Sequence, residues 1–301
     1  MSGNLRDLVL INQYFVSSFP ERKEEINKTI KMNSVHPSFT KYLILLEKEE
    51  DIKPLKELIN VDNHIEILNV GKRTNFSDIF QLTLERKDLY DKVCIYSNAD
   101  IFFDNTIDQL KKLTSKQFIC LSRRELNNGK PVDMSREKCK SSQDLWAFVN
   151  PIDSRAIEAT DFLNGHWGCD NRIAYEMYNL GYTLFNPYSI VKIYHNHASN
   201  QGRPGNNVRL EGKYLRVFPC KSLLTPSRLR LSSYYKKYGY SNYNIINQQK
   251  KLKKQPQPQP QPSEVKKQQQ QPQPSEVKKQ PQPSKLKKQQ PQPSKLKKQQ
   301  Q

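Results

Sequence analysis

The stretch CIYSNADIFFD, residues 94–104, starts like a buried strand and ends in polar residues. Ile95 and Tyr96 are of the types that favour strands, and Asn98 and Asp100 follow where the strand should end. In open α/β sheets, ligands bind at the carboxyl ends of the strands. Asp100 is therefore either a turn residue or a ligand to a bound group, and this stretch alone leaves both interpretations open.

Strand and helix patterns alternate on both sides of this stretch. Apolar runs predict strands at 8–12, 41–48, 64–70, 92–98, 116–125, 141–150, 183–188 and 189–197. Helical spacing predicts helices at 21–32, 75–88, 105–113, 153–163 and 169–181. A capping box at Ser18 is expected to open the first helix, and Asp170 and Gly181 are expected to cap the last. This alternation predicts a mostly parallel sheet with helices on its faces.

The chain divides by composition at about residue 248. Residues 1–247 have the pattern of one Rossmann-like α/β domain whose central sheet becomes mixed in its second half. Residues 248–301 are a degenerate repeat of Gln-Pro runs and lysines with almost no apolar residues to bury. Such a segment cannot form a core, and its prolines remove backbone donors, so we predict a disordered low-complexity tail.

Most of the positive charge lies in this tail. From Lys250 onward, fourteen lysines outweigh two glutamates, which accounts for +12 of the formal net charge of +19. A basic tail can contact a polyanion such as nucleic acid, an acidic membrane surface or an anionic glycan. A solvated appendage with no partner explains the same composition, so the overall charge says little about the α/β domain.

Cysteine usage and the N-terminus bear on the compartment. The five cysteines are scattered and include no C-x-x-C pair, which argues against a zinc cage or a disulfide framework. The first apolar stretch is too short for a signal sequence or a membrane span. We therefore expect a soluble cytoplasmic protein. The richness in Lys, Asn and Ile indicates an AT-rich genome, as in a large DNA virus or a protist, which would place the protein in the host cytoplasm or the virion if it is viral.

Several catalytic motifs are absent from the sequence. It contains no glycine-rich phosphate loop of either common form and no G-x-S-x-G nucleophile elbow. The remaining candidates for chemistry are carboxylates and the late histidines His195 and His197.

Four segments occur in a particular order: YSNADIFFD at 96–104, SQDLWAF at 142–148, GCDNRIAYEMYNLGY at 168–182 and IVKIYHNH at 190–197. Over roughly residues 8–200 this order resembles a nucleotide-sugar glycosyltransferase of the A fold, similar to glycosyltransferase family 2. In that superfamily an Asp-x-Asp motif holds a divalent cation against the diphosphate of the sugar donor. The resemblance implies a metal-dependent, hexosyltransferase-like enzyme that moves a sugar from a nucleoside-diphosphate sugar, with UDP as the expected nucleotide, to a hydroxyl of a glycan, protein or small molecule.

The resemblance also implies a metal site. Here Asn98 replaces the first carboxylate of the motif, so Asp100 must make the metal contact while both residues meet the donor. Mn²⁺ and Mg²⁺ take oxygen ligands, and Mn²⁺ also accepts imidazole. In the resembling enzymes a late histidine can complete the shell, and His195 and His197 lie two apart on one face of a strand. The sequence does not choose between them.

By its position, Asp170 resembles the catalytic acid of the family and is the candidate base that would take the proton of the acceptor hydroxyl in an inverting reaction. A retaining enzyme would not need a base there. An aspartate at the start of a helix is also an ordinary cap, so the structural interpretation stands beside the catalytic one.

A second set of residues could contact the donor or acceptor. Arg73 could meet the diphosphate bidentately, and Tyr14 could stack on the base. Asp144 and Trp146, with Gln143, resemble a sugar-binding set, although strand alternation places Gln143 on the opposite face from the other two. Salt bridging and core packing would explain these same residues.

Two other functions fit the same residues. A degenerate transferase-like domain could bind a sugar or a polyanion without turnover, since Asn98 departs from the motif. Metal-dependent cleavage of nucleic acid could use Asp100, Asp144, Asp170 and the histidines, but the sequence before the tail lacks the basic stripe with interleaved aromatics that such binding requires.

Overall fold

We describe residues 5–199, 201, 209–235 and 239–246 in a computed structural model of the protein, the last segment as backbone only. The chain forms two units, 1–256 and 257–301, and every described residue belongs to the first. The predicted tail at 248–301, with its predicted disorder and polyanion contact, lies outside the described residues.

Fourteen strands and six α-helices make up the described fold. The strands are β1 Leu8–Tyr14, β2 Phe39–Leu46, β3 Ile65–Asn69, β4 Val93–Ser97, β5 Ile101–Phe103, β6 Gln117–Leu121, β7 Arg124–Asn127, β8 Lys130–Val132, β9 Leu145–Val149, β10 Thr183–Phe185, β11 Ile193–His195, β12 Gly212–Val217, β13 Leu229–Tyr235 and β14 Gly239–Ile246. The α-helices are α1 Pro20–Ser34, α2 Ile52–Leu58, α3 Phe76–Glu85, α4 Arg136–Cys139, α5 Arg155–Ala159 and α6 Cys169–Asn179. Short 3₁₀ helices occupy Glu49–Asp51, Lys87–Leu89 and Asn105–Lys112.

A seven-stranded sheet with the order β10-β6-β9-β4-β1-β2-β3 forms the centre. β1 runs parallel to β2 and β4, β2 to β3, and β10 to β6. β9 runs antiparallel to both β4 and β6. The predicted α/β fold with a mixed, Rossmann-like central sheet is therefore confirmed. Because the chain order reverses direction between β1 and β4, a crevice opens at the carboxyl ends of these two strands.

Both faces of the central sheet are covered. Leu8 and Leu10 of β1 point into one buried cluster, whereas Val9 and Ile11 point into the other. Strands that are buried on both sides read as continuous apolar runs, and for that reason LVLI was recognisable in the sequence.

Two smaller sheets complete the domain. The order β5-β11-β7-β8 forms one, and the antiparallel order β12-β13-β14 forms the other. In the first, β11 pairs antiparallel with β5, so that His195 stands opposite Ile101. This pairing brings His195, the first residue of the segment His195-Asn196-His197, next to the residue that follows Asp100.

Two of the predicted helix caps are wrong. α1 is capped by Phe19 without a side-chain bond, because Pro20, with its fixed φ, takes the first helical position. α6 is capped by Gly168 at φ +87°, where an added Cβ would collide with the Tyr214 hydroxyl, so Asp170 lies inside the first turn instead. The glycine predicted at the end of α6 is confirmed, since Gly181 has φ +88° directly after the helix.

Other segments differ from the prediction in type or extent. Residues 105–112 form a 3₁₀ helix, whose N-cap Asp104 accepts a hydrogen bond from the Thr106 N–H. The strand predicted at 116–125 is divided into β6 and β7. The short helix α2 was not predicted. No helix in the described part of the chain combines the length and apolar character needed to cross a membrane.

Candidate functional site

Three predicted metal ligands meet at the carboxyl end of β4. Asp100 lies between β4 and β5, and the pairing of β5 with β11 places His195 and His197 beside it. One ligand atom from each of the three lies within 4.8 Å of the others. The structure thus brings together both histidines, between which the sequence could not choose.

Each nitrogen of His195 faces a carboxylate. Nε2 lies 3.1 Å from Asp100 Oδ2, and Nδ1 lies 2.8 Å from Glu125 Oε2. Burial lowers the pKa of His195, but Asp100 and Glu125 outweigh burial and raise that pKa to about 9. Without a cation the ring therefore holds two protons. A histidine whose second nitrogen donates to a carboxylate is also the usual arrangement of a metal ligand.

His197 presents a lone pair to the same carboxylate. Its Nε2 lies 2.9 Å from the Gln201 backbone carbonyl, which can only accept, so this nitrogen carries the proton of the neutral ring. Nδ1 is then an acceptor 3.7 Å from Asp100 Oδ2. Burial and the nearby Arg22 lower the pKa of His197, which favours the neutral ring. Two acceptors that face each other across a short gap are stabilised by a cation between them.

Asp100 itself keeps one oxygen unused. Oδ1 is buried and has no hydrogen-bond partner among the described residues, although buried carboxylate oxygens are nearly always paired. Burial raises the pKa of Asp100, but His195 and Arg22 outweigh burial and hold that pKa well below its ordinary range. An ionised, buried and half-satisfied carboxylate beside two imidazoles is a donor set that fits a divalent cation.

Helix α1 supplies the fixed positive charge of this cluster. Arg22 Nη2 donates to Asp100 Oδ2 over 2.5 Å, and Arg22 Nη1 donates to Glu25 over 3.1 Å. Glu25 accepts in turn from the backbone and the hydroxyl of Ser199, and the Asn196 side chain donates to the Glu25 backbone carbonyl. α1 therefore holds both Asp100 and the histidine segment in place.

A cavity of about 470 Å³ lies beside the cluster. Its lining includes Asn98, at the end of β4, Asp144, just before β9, and Asp170, in the first turn of α6. It adjoins the cluster through Arg123, which pairs with Glu125, the partner of His195. The predicted catalytic and sugar-binding carboxylates thus open onto one space.

Asn98 is held on both sides. Its side-chain amide donates to Asp144 Oδ1 over 2.9 Å, and its side-chain oxygen accepts from Asn164 over 2.8 Å. That oxygen is therefore already engaged, and Asn98 stands in the cavity wall rather than in the cation cluster. It was predicted to meet the donor together with Asp100, and the structure separates these two side chains.

The predicted sugar-binding residues lie on the cavity, but their side chains are partly engaged. Both carboxylate oxygens of Asp144 accept from Arg123 Nη1 at 2.7 Å. Trp146 is 1% exposed and packs edge-on against Phe76, while its buried Nε1 has no partner in the described part of the chain. Gln143 was expected to point away from the other two, yet it also lines the cavity.

Asp170 is a cavity carboxylate whose pKa is raised towards neutrality. It accepts from the backbone and side-chain amides of Asn171 at 2.9 and 2.8 Å, and from the Gln143 N–H at 3.3 Å. Burial raises the pKa of Asp170, hydrogen bonds from Asn171 lower it, and Asp144 raises it again, to about 6. A carboxylate with such a pKa can accept a proton at physiological pH.

Tyr14 and Arg73 lie away from the cation cluster. Tyr14 is fully buried and its hydroxyl donates to Asn27, so in this structure the ring offers no face to a base. Arg73 donates to the Asn164 backbone carbonyl over 3.0 Å and lies against Gly165. Arg73 therefore flanks the loop that forms one side of the cavity.

Sequence reasoning missed four residues of the site: Arg22, Arg123, Glu125 and His166, the last of which lines the cavity. Arg22 is 78 residues from Asp100, and Glu125 is 70 residues from His195. No local spacing pattern connects residues so far apart. The one available signal was the SRRE segment, where charged residues follow directly after the apolar strand β6.

No protein-family model and no curated protein sequence matches the chain. Among solved structures, 4-diphosphocytidyl-2C-methyl-D-erythritol synthase from Anaerococcus prevotii is 12% identical with a TM-score of 0.42, covering 60% of this chain and 85% of that one. The mannosyltransferase PcManGT from Pyrobaculum calidifontis, in complex with GDP-Man and Mn²⁺, is 10% identical with a TM-score of 0.42, covering 65% and 58%. S. aureus TarS 1-349 is 7% identical with a TM-score of 0.39, covering 63% and 60%. The chain thus spans less than two thirds of the last two, and at these identities and TM-scores a shared activity does not follow.

Proposed function

We propose that the protein is a metal-dependent glycosyltransferase that moves a sugar from a nucleoside-diphosphate sugar to a hydroxyl acceptor. The observation that carries the proposal is the cluster of Asp100, His195 and His197 at the crevice end of β4, with its unpartnered Asp100 Oδ1. The four-segment resemblance in the sequence adds the reaction class. UDP is the first nucleotide to test.

The donor atoms indicate which cation would bind. Asp100 would offer a carboxylate oxygen, His197 would offer Nδ1, and His195 would offer Nε2 after losing its proton. Mixed carboxylate and imidazole ligands favour Mn²⁺ over Mg²⁺, which prefers oxygen. When bound, such a cation stabilises the negative charge that develops on the departing diphosphate.

The other side chains of the site would position and deprotonate the substrates. Arg123 fixes the Asp144 carboxylate through two short contacts, so that Asp144 can accept hydrogen bonds from hydroxyl groups of a sugar. Asp170, across the same cavity, would take the proton of the acceptor hydroxyl as that oxygen attacks the anomeric carbon. This role belongs to an inverting reaction.

A second function is favoured by the position of Arg22. Its guanidinium already lies 2.5 Å from Asp100 Oδ2, and Asn98 supplies no second carboxylate. A domain in which Arg22 takes the place of the cation would bind a nucleotide sugar or a glycan without metal and without turnover. This is the degenerate, binding-only alternative.

Thermal unfolding of the full chain separates the two functions. UDP, GDP, CDP and ADP are each added with Mn²⁺ or with a chelator, to wild type and to Asp100→Asn. Asp104→Asn serves as the control, because it makes the same change four residues away, at a helix cap outside the cluster. A ligand at a hundred times its Kd adds about 2.7 kcal/mol, which raises the midpoint by roughly 5–11 °C for a domain of this size.

Each result has one meaning. A shift with one nucleotide that needs Mn²⁺ and is lost in Asp100→Asn alone supports the metal-dependent transferase. A shift that is indifferent to Mn²⁺ and to Asp100 supports the binding-only protein. No shift with any nucleotide overturns the transferase and the binding of a nucleotide sugar by the binding-only protein.

A further inference from the structure

One face of the β12–β13 pair carries a concentration of positive side chains. Arg216 of β12 and Arg230 of β13 are direct cross-strand partners, and Arg228, which directly precedes β13, contacts the same Phe218 ring as Arg230. Lys140, at the end of α4, packs against this face. We call Lys140, Arg216, Arg228 and Arg230 the basic face.

Three of these four groups gather around one aromatic ring. Arg228 Cζ, Arg230 Cζ and Lys140 Nζ lie 4.0, 5.3 and 5.3 Å from the ring centroid of Phe218. Phe218 is almost fully buried, and its ring is the shared contact of these three cations. The opposite face of the strand pair carries the core residues Leu215, Val217 and Leu229, and β12 packs against α6.

The local field on the basic face is positive. Glu137 is ion-paired with Lys140, yet the three arginines still act on that lysine. Burial lowers the pKa of Lys140, and Arg230, Arg216 and Arg228 lower it further. Guanidinium and ammonium groups gathered in this way form charge-assisted hydrogen bonds with an oxyanion.

The basic face is continuous with the cavity. Arg216 lines the cavity and donates to the Ser141 hydroxyl over 3.1 Å, and Ser141 directly follows Lys140. Tyr214, from the same face of β12, also lines the cavity and lies against Gly168 at the start of α6. Asp170 is two residues further on. A molecule whose anion binds beside Arg216 can therefore extend into the cavity that Asp170 lines.

We propose that the basic face binds a phosphate group of the acceptor, so that the acceptor is a phosphorylated molecule whose hydroxyl lies at Asp170. The inference rests on the proposed transferase function. The acceptor is favoured over the donor because the donor diphosphate is proposed to lie at the Asp100 cluster, on β4 and β11, whereas the basic face adjoins Asp170. An arginine guanidinium can donate two parallel hydrogen bonds to the oxygens of a phosphate, and the basic face has three arginines.

The test measures binding of glucose 6-phosphate to the full chain by calorimetry, at low salt and with neither Mn²⁺ nor nucleotide. Glucose is the uncharged comparison, and inorganic phosphate reports the oxyanion alone. The variant is Arg228→Gln with Arg230→Gln. The matched control is Lys213→Gln, which removes a positive charge from the same strand β12, where Lys213 lies over the Tyr175 ring instead.

We expect glucose 6-phosphate to bind and glucose not to bind. The double variant should bind glucose 6-phosphate at least about tenfold more weakly, the loss expected for a charge-assisted hydrogen bond, and Lys213→Gln should bind it normally. Without ligand, the double variant should stay folded at the temperature of the calorimetry, because Phe218 itself remains in the core. Glucose that binds as tightly as glucose 6-phosphate would overturn the proposal.

Three further results would also overturn it. Equal binding of glucose 6-phosphate by wild type and the double variant would show that the arginines are not involved. Loss of Mn²⁺-dependent nucleotide binding in the double variant would assign the basic face to the donor diphosphate. Arginine-dependent binding of heparin or RNA, with no binding of glucose 6-phosphate, would identify a macromolecular surface. Because the calorimetry uses no nucleotide, its outcome can be read even if the proposed function fails.

Discussion

Replacing Asp170 with Asn should stabilise the protein relative to wild type as the pH rises. Burial is the main reason that the pKa of Asp170 is raised from 3.8 to about 6. A carboxyl group whose pKa is higher in the folded than in the unfolded state favours folding when it is protonated. Its contribution is fully present below pH 3.8 and is lost as the pH rises through 6. At neutral pH the native state therefore carries an unfavourable charge at a partly buried position.

The size of the effect follows from the two pKa values. Between pH 8 and pH 5, the single proton on Asp170 changes the free energy of unfolding by about 1.4 kcal/mol. The amide introduced by Asp170→Asn cannot titrate. It also places an N–H donor where a carboxylate oxygen accepted from the Gln143 N–H, and the lost hydrogen bond lowers stability by about 1 kcal/mol at every pH. This constant loss cancels when the two pH values are compared. The pH-dependent difference between variant and wild type thus isolates the charge.

The assay is urea unfolding of both proteins at pH 5 and pH 8, supported by thermal midpoints. Going from pH 5 to pH 8, the variant should gain about 1.4 kcal/mol relative to wild type, or roughly 3–6 °C. Asp161→Asn is the control, because hydrogen bonds from Asn75 and Ser77 lower the pKa of Asp161 from 3.8, so this carboxylate stays ionised at both pH values and its difference from wild type should not depend on pH. The reasoning would be refuted if the difference in free energy of unfolding between wild type and Asp170→Asn were the same at pH 5 and pH 8.

Three other outcomes follow from the site. If Asp170 is the base, kcat/KM for sugar transfer should rise with pH through about 6, and a profile that is flat from pH 5 to pH 8 contradicts this role. Glu125→Gln should weaken Mn²⁺ binding by about 10–100-fold, because it loosens the hold on His195; calorimetry showing unchanged affinity argues against Glu125 as a positioning residue. Arg123→Gln should destabilise the domain by about 3 kcal/mol in urea, because Asp144 is left as a buried unpaired charge. Adding Asp144→Asn should restore most of that loss, and if it restores none, the Arg123–Asp144 pair is not the cause.

The main strands could be predicted because burial on both faces leaves a strong local signal. β1, β2 and β4 are apolar nearly throughout, and strands of this kind are recognisable without knowledge of their neighbours. The ends of helices were harder to predict, because a single residue can move the cap to another position. Pro20 shifted the start of α1, and Gly168 displaced Asp170 from the cap of α6.

The site was predictable only where its residues belonged to an ordered motif. Asp100, Asp170 and the two histidines came from the resemblance, and the structure gathers Asp100 with both histidines. Glu125, the partner of His195, could not be foreseen, because the parallel pairing of β11 with β7 joins segments about 70 residues apart. The arginine of α1 reaches Asp100 only after the sheet has formed. Contacts of this kind depend on topology and leave no periodic signal in the sequence.

The central claim is that Asp100, His195 and His197 hold a divalent cation. Titration of Mn²⁺ into the full chain, followed by electron paramagnetic resonance, tests it directly. The account predicts one bound Mn²⁺ with nitrogen couplings from imidazole, lost in Asp100→Asn and retained in Asp104→Asn. Absence of bound Mn²⁺ in wild type, or binding that is unchanged in Asp100→Asn, would contradict it.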